Sequence, residues 1–365
     1  MANRQGIWPS PGRFSLARDT HTNVGVCPRY GPTGVPKLEL QEVDESMTAT
    51  MKAIECTKYG PPEVLRVTER TKPIPRSDEV LIRIYAASVT NSDIFIRSSD
   101  IPLRFRIPMR IMLGLTKPRN SIIGEVLAGE IEHVGSQIRR FQVGDKVYGL
   151  TGFSLGAYAD FKCMKERDSK SGCIAQMPKN VSFEEATSAA YGGLLALQYI
   201  EKGDITPGQK VLIYGASGTS GTIATQLAKH LGAEVTGVCG TRNVEFVRSL
   251  GADTVLDYTK RESLSELGTY DLVLDCVGKR RTSELRGACL NSIGQSGKYV
   301  SIDDGALVLD SRRLDRIREF VEAGVVRPIT DRCYPFESIV EAHRYVEMGH
   351  KRGNVAITVN RKPSI

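Results

Sequence analysis

The sequence predicts an α/β protein: a doubly wound parallel sheet joined to a smaller, irregular β-barrel. Three observations predict it. From about Ser182 onward, short apolar runs alternate with helical stretches. Within that region "LIYGASGTSGTIATQLAKHLGAEV", Leu212 to Val235, reads as strand, tight turn and amphipathic helix. From Met51 to about Met177, by contrast, short strand-like runs are broken by turn residues.

The first region supplies the barrel strands "MKAIECTKYG", "EVLIRIYAASVT", "GEVLAGEIEHVG", "GDKVYGLTG" and "GAYADFKCM". The second opens on the helix "FEEATSAAYGGLLALQYI" and continues with the strand "QKVLIYGA" and the helix "SGTIATQLAKHLGA". The strand "EVTGVC", the helix "NVEFVRSLGA" and the strands "DTVLDY", "YDLVLDCVG" and "GKYVSI" follow. Short apolar strands separated by helices imply parallel pairing with helices on both faces. "SRRLDRIREFVEAG" closes the series as a helix whose Leu314, Ile317, Phe320 and Val321 share a face, with Gly324 as its stop. The tail "YPFESIVEAHRYVEMGHKRGNVAITVN" adds one helix and a last β-run.

At 365 residues the chain is long enough for about two domains. The net charge is +7, but basic and acidic residues are interspersed, with no basic stripe carrying aromatics, so no nucleic-acid partner is expected. The eight cysteines are scattered without a CxxC pair, which points to a reducing, cytoplasmic compartment. No apolar run reaches the ~18 residues of a membrane span. Residues 1–46, rich in Pro, Gly, Arg, Ser and Thr, read as a disordered extension. Two readings of that extension stay open: an organellar transit peptide, against which Asp19 and "ELQEVDE" speak, or an upstream start ahead of Met47 or Met51.

The chemistry begins at Ala216-x-Gly218-x-x-Gly221. Gly218 lets the backbone approach a diphosphate, and Gly221 lets the helix pack on the strand. The N–H groups and dipole at the helix start attract the negative charge. The strand before, the helix after and the second strand "EVTGVC" meet the context this motif needs. An NAD site places Asp or Glu at the end of that second strand. Here the sequence is "VCGTRN", with uncharged Thr241 and cationic Arg242, so NADPH is the expected dinucleotide and Glu245 points elsewhere. The alternative is that Arg242 is a solvated surface charge.

With these residues in hand, the chain resembles the medium-chain dehydrogenase/reductase superfamily, in its zinc-independent quinone oxidoreductase (zeta-crystallin-like) branch. The likeness spans about Met51 to Asn360 and rests on "MKAIECTKYGPPEVLRV", "DEVLIRIYAASVTNSD", "AGEIEHVGSQIRRFQVGDKVYG", "AYGGLLAL", "GQKVLIYGASGTSG", "LGADTVLDY" and "AHRYVEMGHKRGNVAITV". It implies a GroES-like catalytic domain, residues 47–181, interrupted by a Rossmann NADPH-binding domain, 182–324. Residues 325–365 return to the first, and the site lies in the cleft between the two. It also implies hydride transfer from NADPH to quinones, enones or other activated carbonyl compounds.

The resemblance carries over Thr90, Asn91 and Tyr191 as catalytic residues, with Gly193 at the same helix start. It carries over Ala216, Ser217, Gly218, Thr219, Ser220, Gly221, Thr241, Arg242, Tyr258 and Asn354 as cofactor-binding residues. Zinc-dependent relatives bind the metal at positions matching Thr90, Glu125 and Gly192, a set that cannot make a tetrahedral N/S site, and the four-cysteine lobe is missing, so no metal is expected. Other departures are Phe95, Val126 and Leu195 where relatives carry polar groups. The short segment 302–312 puts the family's homodimer contact in doubt.

Tyr148, Tyr158, Asp271 and Asp275 read as packing or structural residues, and the five histidines as surface or satisfied core residues. The insert "LRFRIPMRIMLGLTKPRN" is expected to cap the substrate site, and contact with a membrane surface or cover for the barrel stay open beside that. The functional expectation is an NADPH-dependent reductase of quinones or small α,β-unsaturated carbonyls. A zinc-free alcohol dehydrogenase or enoyl-thioester reductase, and a dinucleotide-binding scaffold or sensor without turnover, stay open beside it.

Overall fold

The computed structural model describes residues 49–99, 110, 111, 113–278 and 283–360. The extension 1–46 and residues 103–109 and 112 of the insert lie outside them.

The described residues begin with β1 (Thr50–Cys56), β2 (Leu65–Thr71), β3 (Glu79–Ser88) and α1 (Asn91–Ser98). Next come β4 (Val126–Val134), β5 (Lys146–Leu150), β6 (Phe161–Lys165) and β7 (Cys173–Gln176). The alternating half runs α2 (Phe183–Gly203), β8 (Lys210–Tyr214), α3 (Thr219–His230), β9 (Glu234–Cys239), α4 (Val244–Ser249) and β10 (Thr254–Asp257). It continues with β11 (Tyr270–Asp275), α5 (Glu284–Asn291), β12 (Ile293–Ser301) and α6 (Ser311–Glu322). The tail holds β13 (Thr330–Pro335), α7 (Ile339–Glu347) and β14 (Asn354–Thr358).

Strand β3 is the spine of the first half. It pairs antiparallel with β4, with β6 and, through Ala356 opposite Ser88, with the late strand β14. Its faces meet separate apolar clusters, Val80, Ile82 and Ile84 in one and Leu81 in another, so its apolar residues are buried together rather than alternating. The parallel sheet has the order β10-β9-β8-β11-β12, the doubly wound arrangement expected, with the chain reversing direction across the sheet between β8 and β11. Val211 and Ile213 pack on one face with α2, α3 and α6. Leu212 and Tyr214 turn to the other face and meet Leu285 and Cys289 of α5.

Helix α2 joins the two halves. A Ser182–Glu185 capping box starts it, a device worth about 1 kcal/mol. Gly192 and Gly193 let it lie close to its neighbours: a Cβ would come within 2.6 Å of the Thr219 carbonyl at the first and 2.8 Å of Ile317 at the second.

Helix α1 and strands β2 and β7 of the first half escape the sequence pattern, as do two elements further on. Helix α5, "ELRGACLN", contains Gly287 and little periodicity, but Ser283 caps it and Arg286 reaches Asp275 at 2.5 Å. Strand β13, "TDRCYP", is mostly polar and forms because β14 offers it an edge. After β12, residues 302–310 form no strand, so β12 pairs only with β11 and is a free edge among the described residues. No described helix is long and apolar enough to cross a membrane.

Candidate active site

A cleft of about 1760 Å³ opens at the carboxyl ends of β8 and β11, between the glycine turn and helices α1 and α2. This is where an open α/β sheet binds ligands. In the turn, Gly215 takes the left-handed conformation (φ +85°), and a Cβ there would strike Val277 at 2.5 Å. At Gly221 a Cβ would lie 2.1 Å from the Gly215 carbonyl, so this glycine sets the close approach of α3 to β8. Gly218 is the N-cap of α3, no side chain caps that helix, and a Cβ there would meet only the Gly215 carbonyl at 3.3 Å. Ser217, Gly218, Thr219 and Ser220 line the cleft, with Ala216 and Gly221 buried behind them. A bare backbone at an uncapped helix start fits a dinucleotide's diphosphate.

At the end of β9, Thr241, Arg242, Asn243, Tyr258 and Thr259 form the rim. Thr241 donates to Asp257 Oδ2 at 2.6 Å and contacts Thr259 Oγ1 at 2.9 Å. Asp257 is an acid near this rim that the sequence reading passed over. It is buried, and although burial opposes ionisation, hydrogen bonds from Thr241 and Thr259 hold its carboxyl below the ordinary range. Its charge is therefore spent inside the protein. Glu245 pairs with Arg248.

The rim gains two cations from the tail. Arg352 donates from Nε to Asn243 Oδ1 at 2.7 Å and from Nη2 to the Arg242 carbonyl at 2.6 Å. Lys351 Nζ donates to the Gly353 carbonyl at 2.7 Å and to Thr219 Oγ1. The only sequence signal for this pair is the basic run inside "GHKRGN".

The other end of the cleft carries hydroxyls and the Glu125 carboxyl. Asn91, Ser92, Glu125 and Tyr191 line it, with Ser92 Oγ and Tyr191 Oη 3.2 Å apart. Burial, and then the nearby Glu125, raise the Tyr191 phenol well above its ordinary range. Glu125 is itself raised by burial and by the charge of Asp93, against a hydrogen bond from Ser92. Asp93 is raised by burial, against hydrogen bonds from Thr90.

Two carried-over residues lie behind the cleft wall. Thr90 is buried as the N-cap of α1, its hydroxyl donating to Asp93 Oδ2 at 2.7 Å and accepting from the Asp93 amide at 3.1 Å. Asn354 is buried, donating to Ser88 Oγ at 2.6 Å and Thr187 Oγ1 at 3.2 Å. At the zinc positions, the Thr90 hydroxyl is committed to Asp93 and Gly192 has no side chain. Glu125 alone faces the cleft, which is no donor set for tetrahedral zinc.

Tyr148 and Tyr158 are packing residues, donating to the carbonyls of Leu314 and Ser88. His343 departs from the satisfied state expected: it is fully buried, and its Nδ1 has no hydrogen-bond partner among the described residues. Leu113, from the described part of the insert, lines the cleft.

The family model described as "Alcohol dehydrogenase GroES-like domain" matches residues 76–196, and models described as "Zinc-binding dehydrogenase" match 221–314 and 307–357. The chain is 29% identical to 2-methylene-furan-3-one reductase of Solanum lycopersicum, over 86% of this chain and 80% of that one. It is 29% identical to the mitochondrial NAD(P)H oxidoreductase RTN4IP1 of Mus musculus, over 90% and 94%. The solved quinone oxidoreductase of Coxiella burnetii superposes with a TM-score of 0.72 at 26% identity, covering 86% of this chain and all of the other. With the interrupted barrel, the parallel sheet and the glycine turn already in place, these likenesses agree: the chain belongs to the medium-chain dehydrogenase/reductase superfamily, in its zinc-independent quinone oxidoreductase-like group.

Proposed function

We propose that this chain, an oxidoreductase by its family, uses NADPH and no zinc to reduce quinones or small α,β-unsaturated carbonyl compounds. The observation that carries the cofactor choice is the rim at the end of β9. Its near acid, Asp257, is buried and hydrogen-bonded, while Arg242 is exposed and Arg352 docks against its carbonyl. That arrangement suits a ribose 2′-phosphate better than a 2′-hydroxyl.

Bound there, the reduced nicotinamide supplies the hydride. The protein's share is to hold and to stabilise. The glycine turn and Lys351 hold the diphosphate end. Phe95, Leu113, Leu155 and Leu195 give the cleft apolar walls that keep water from the reacting end. Asn91, Ser92 and Tyr191 offer donors to an oxygen that gains charge, which a conjugated acceptor needs in place of a metal. The unpaired cysteines suit a cytoplasmic setting.

The test is NADPH consumption against a panel of quinones and enones, beside calorimetry with NADPH and NADH. Turnover with tighter NADPH binding is the expected result. NADPH binding without consumption across the panel favours the scaffold reading, and preference for NADH overturns the cofactor assignment.

A further inference from the structure

Deepening the reductase reading, on which it rests, we infer that Glu125 is the acid of this cleft, giving its carboxyl proton to the carbonyl oxygen of the bound acceptor. The geometry has three parts. Glu125 stands at the start of β4 on the cleft wall, in the same cavity as Asn91 and Tyr191. Behind it lies Asp93, fully buried, whose Oδ2 receives the Thr90 amide at 2.8 Å and the Thr90 hydroxyl at 2.7 Å. Ser92 Oγ lies 3.2 Å from Tyr191 Oη, and Ser92 lines the same cavity as Glu125.

These contacts decide which carboxyl keeps the proton. Two neighbouring carboxyls in a poorly hydrated site do not both ionise. The two Thr90 donors favour the charged form at Asp93, whereas Glu125 has only Ser92. Asp93 Oδ1 has no hydrogen-bond partner among the described residues, so the two Thr90 donors at Oδ2 are what favours its charged form. The other titratable groups here do not supply a cation to Glu125. Tyr158 and Tyr191 are raised phenols, and the buried Arg97 pairs with Glu347 and acts on Tyr158 and His343. Glu125 is accordingly shifted upward, by burial first and by Asp93 second. A neutral carboxylic acid facing an apolar cleft donates a hydrogen bond to an oxygen, as a metal otherwise polarises it.

The step balances. In an enone, hydride forms a C–H bond at the β-carbon, the C=C electron pair shifts toward the carbonyl carbon, and the carbonyl pair moves onto oxygen. The Glu125 O–H bond breaks, its electrons stay on the carboxylate, and the enol O–H bond forms. The enol becomes the saturated ketone by gaining a proton at the α-carbon and losing one at oxygen. Water restores the proton of Glu125 through the Ser92 and Tyr191 hydroxyls.

The test compares the full chain with Glu125→Gln and Glu125→Asp. Glu125→Gln should lower kcat about 100-fold or more with a 2-enone, while the NADPH dissociation constant stays within about twofold. Wild-type kcat should fall as pH rises and the acid form is lost. Glu125→Gln should lose that limb, and Glu125→Asp should regain part of the rate. A Glu125→Gln variant with wild-type kcat, or with the alkaline limb intact, overturns the inference. Infrared spectroscopy needs no turnover: a buried protonated-carboxyl stretch at neutral pH, shifted by unreactive cyclohexanone and absent from Glu125→Gln, supports it, and absence of the band from the wild type overturns it. If the wild type reduces nothing in the panel, the reductase reading fails, and the infrared result still decides the protonation of Glu125.

Discussion

The Gly353 amide donates to the Ser217 carbonyl at 2.8 Å, so the segment leading into β14 is hydrogen-bonded to the glycine turn of the other half. Thr219 repeats the link through its hydroxyl, which donates to the Gly353 carbonyl at 2.8 Å. The tail thus serves two purposes. It extends the β3 sheet through β14, and just before that it lays Lys351 and Arg352 along the rim of the cleft.

Removing the exposed rim cation should weaken one dinucleotide selectively. Arg242→Ala is expected to raise the NADPH dissociation constant about tenfold, the scale of one charge-assisted hydrogen bond at ~1.5 kcal/mol, and to leave NADH almost unchanged. Calorimetry with both dinucleotides reads this. An equal loss for both would mean Arg242 acts on the shared part of the ligand, not on the 2′-phosphate.

The two inner glycines of the turn should separate binding from folding. Gly218→Ala meets no atom closer than 3.3 Å, so it should leave the melting temperature nearly unchanged while its methyl group weakens dinucleotide binding. Gly221→Ala drives a Cβ to within 2.1 Å of the Gly215 carbonyl and should cost about 1–3 kcal/mol of stability. Thermal melts beside binding isotherms distinguish the two, and a Gly218→Ala protein with unaltered affinity would contradict the placement of the diphosphate.

His343 gives a pH prediction with a defined sign. Burial, reinforced by Arg97, pushes its imidazole down to about 3, so the folded chain holds it neutral while the unfolded chain protonates near 6.5. Below that value the unfolded state binds the extra proton, so stability falls as pH drops from about 6.5 toward 3. Asp93 and Glu125, both raised, work in the opposite sense in the acid range, so the test is a difference. Denaturant melts of His343→Leu and wild type should diverge from pH 7 to 5, the wild type losing up to about 1.4 kcal/mol more per pH unit. Parallel curves would show that the ring is charged in the fold.

Arg97 is wholly buried, its Nε and Nη1 lack hydrogen-bond partners among the described residues, and its charge is balanced by Glu347 of α7. Glu347→Ala leaves that guanidinium uncompensated and should destabilise the protein by about 3 kcal/mol. Arg97→Met with Glu347→Ala should recover most of the loss, because a flexible apolar chain needs no counter-charge. A Glu347→Ala protein as stable as wild type would show that solvent reaches Arg97.

Local pattern explains how much was readable in advance. The glycine turn is a contiguous stretch whose small residues, preceding strand and following helix all lie within about 24 positions, so the chain alone marks Ala216 to Gly221 as a turn between strand and helix, and Ser217 to Ser220 of it line the cleft. Thr241, Arg242 and Tyr258 follow from the same unit, being the ends of its next two strands. Thr90 and Asn354 are different. Their residue types suit a polar cleft, but helix capping claims the Thr90 hydroxyl and the Ser88–Thr187 pocket claims the Asn354 amide.

The sequence by itself determined the two periodicities, the order of strands and helices in the alternating half, and the glycines that a phosphate turn requires. These depend on neighbours close along the chain. The tertiary structure alone decided that Arg352 stands over the Arg242 carbonyl, 110 positions away, that Asp257 is turned inward, and that Glu125 feels the charge of the buried Asp93. Charge and protonation at the cleft depend on distance and desolvation between segments remote in sequence, and those quantities exist only once the sheets have closed.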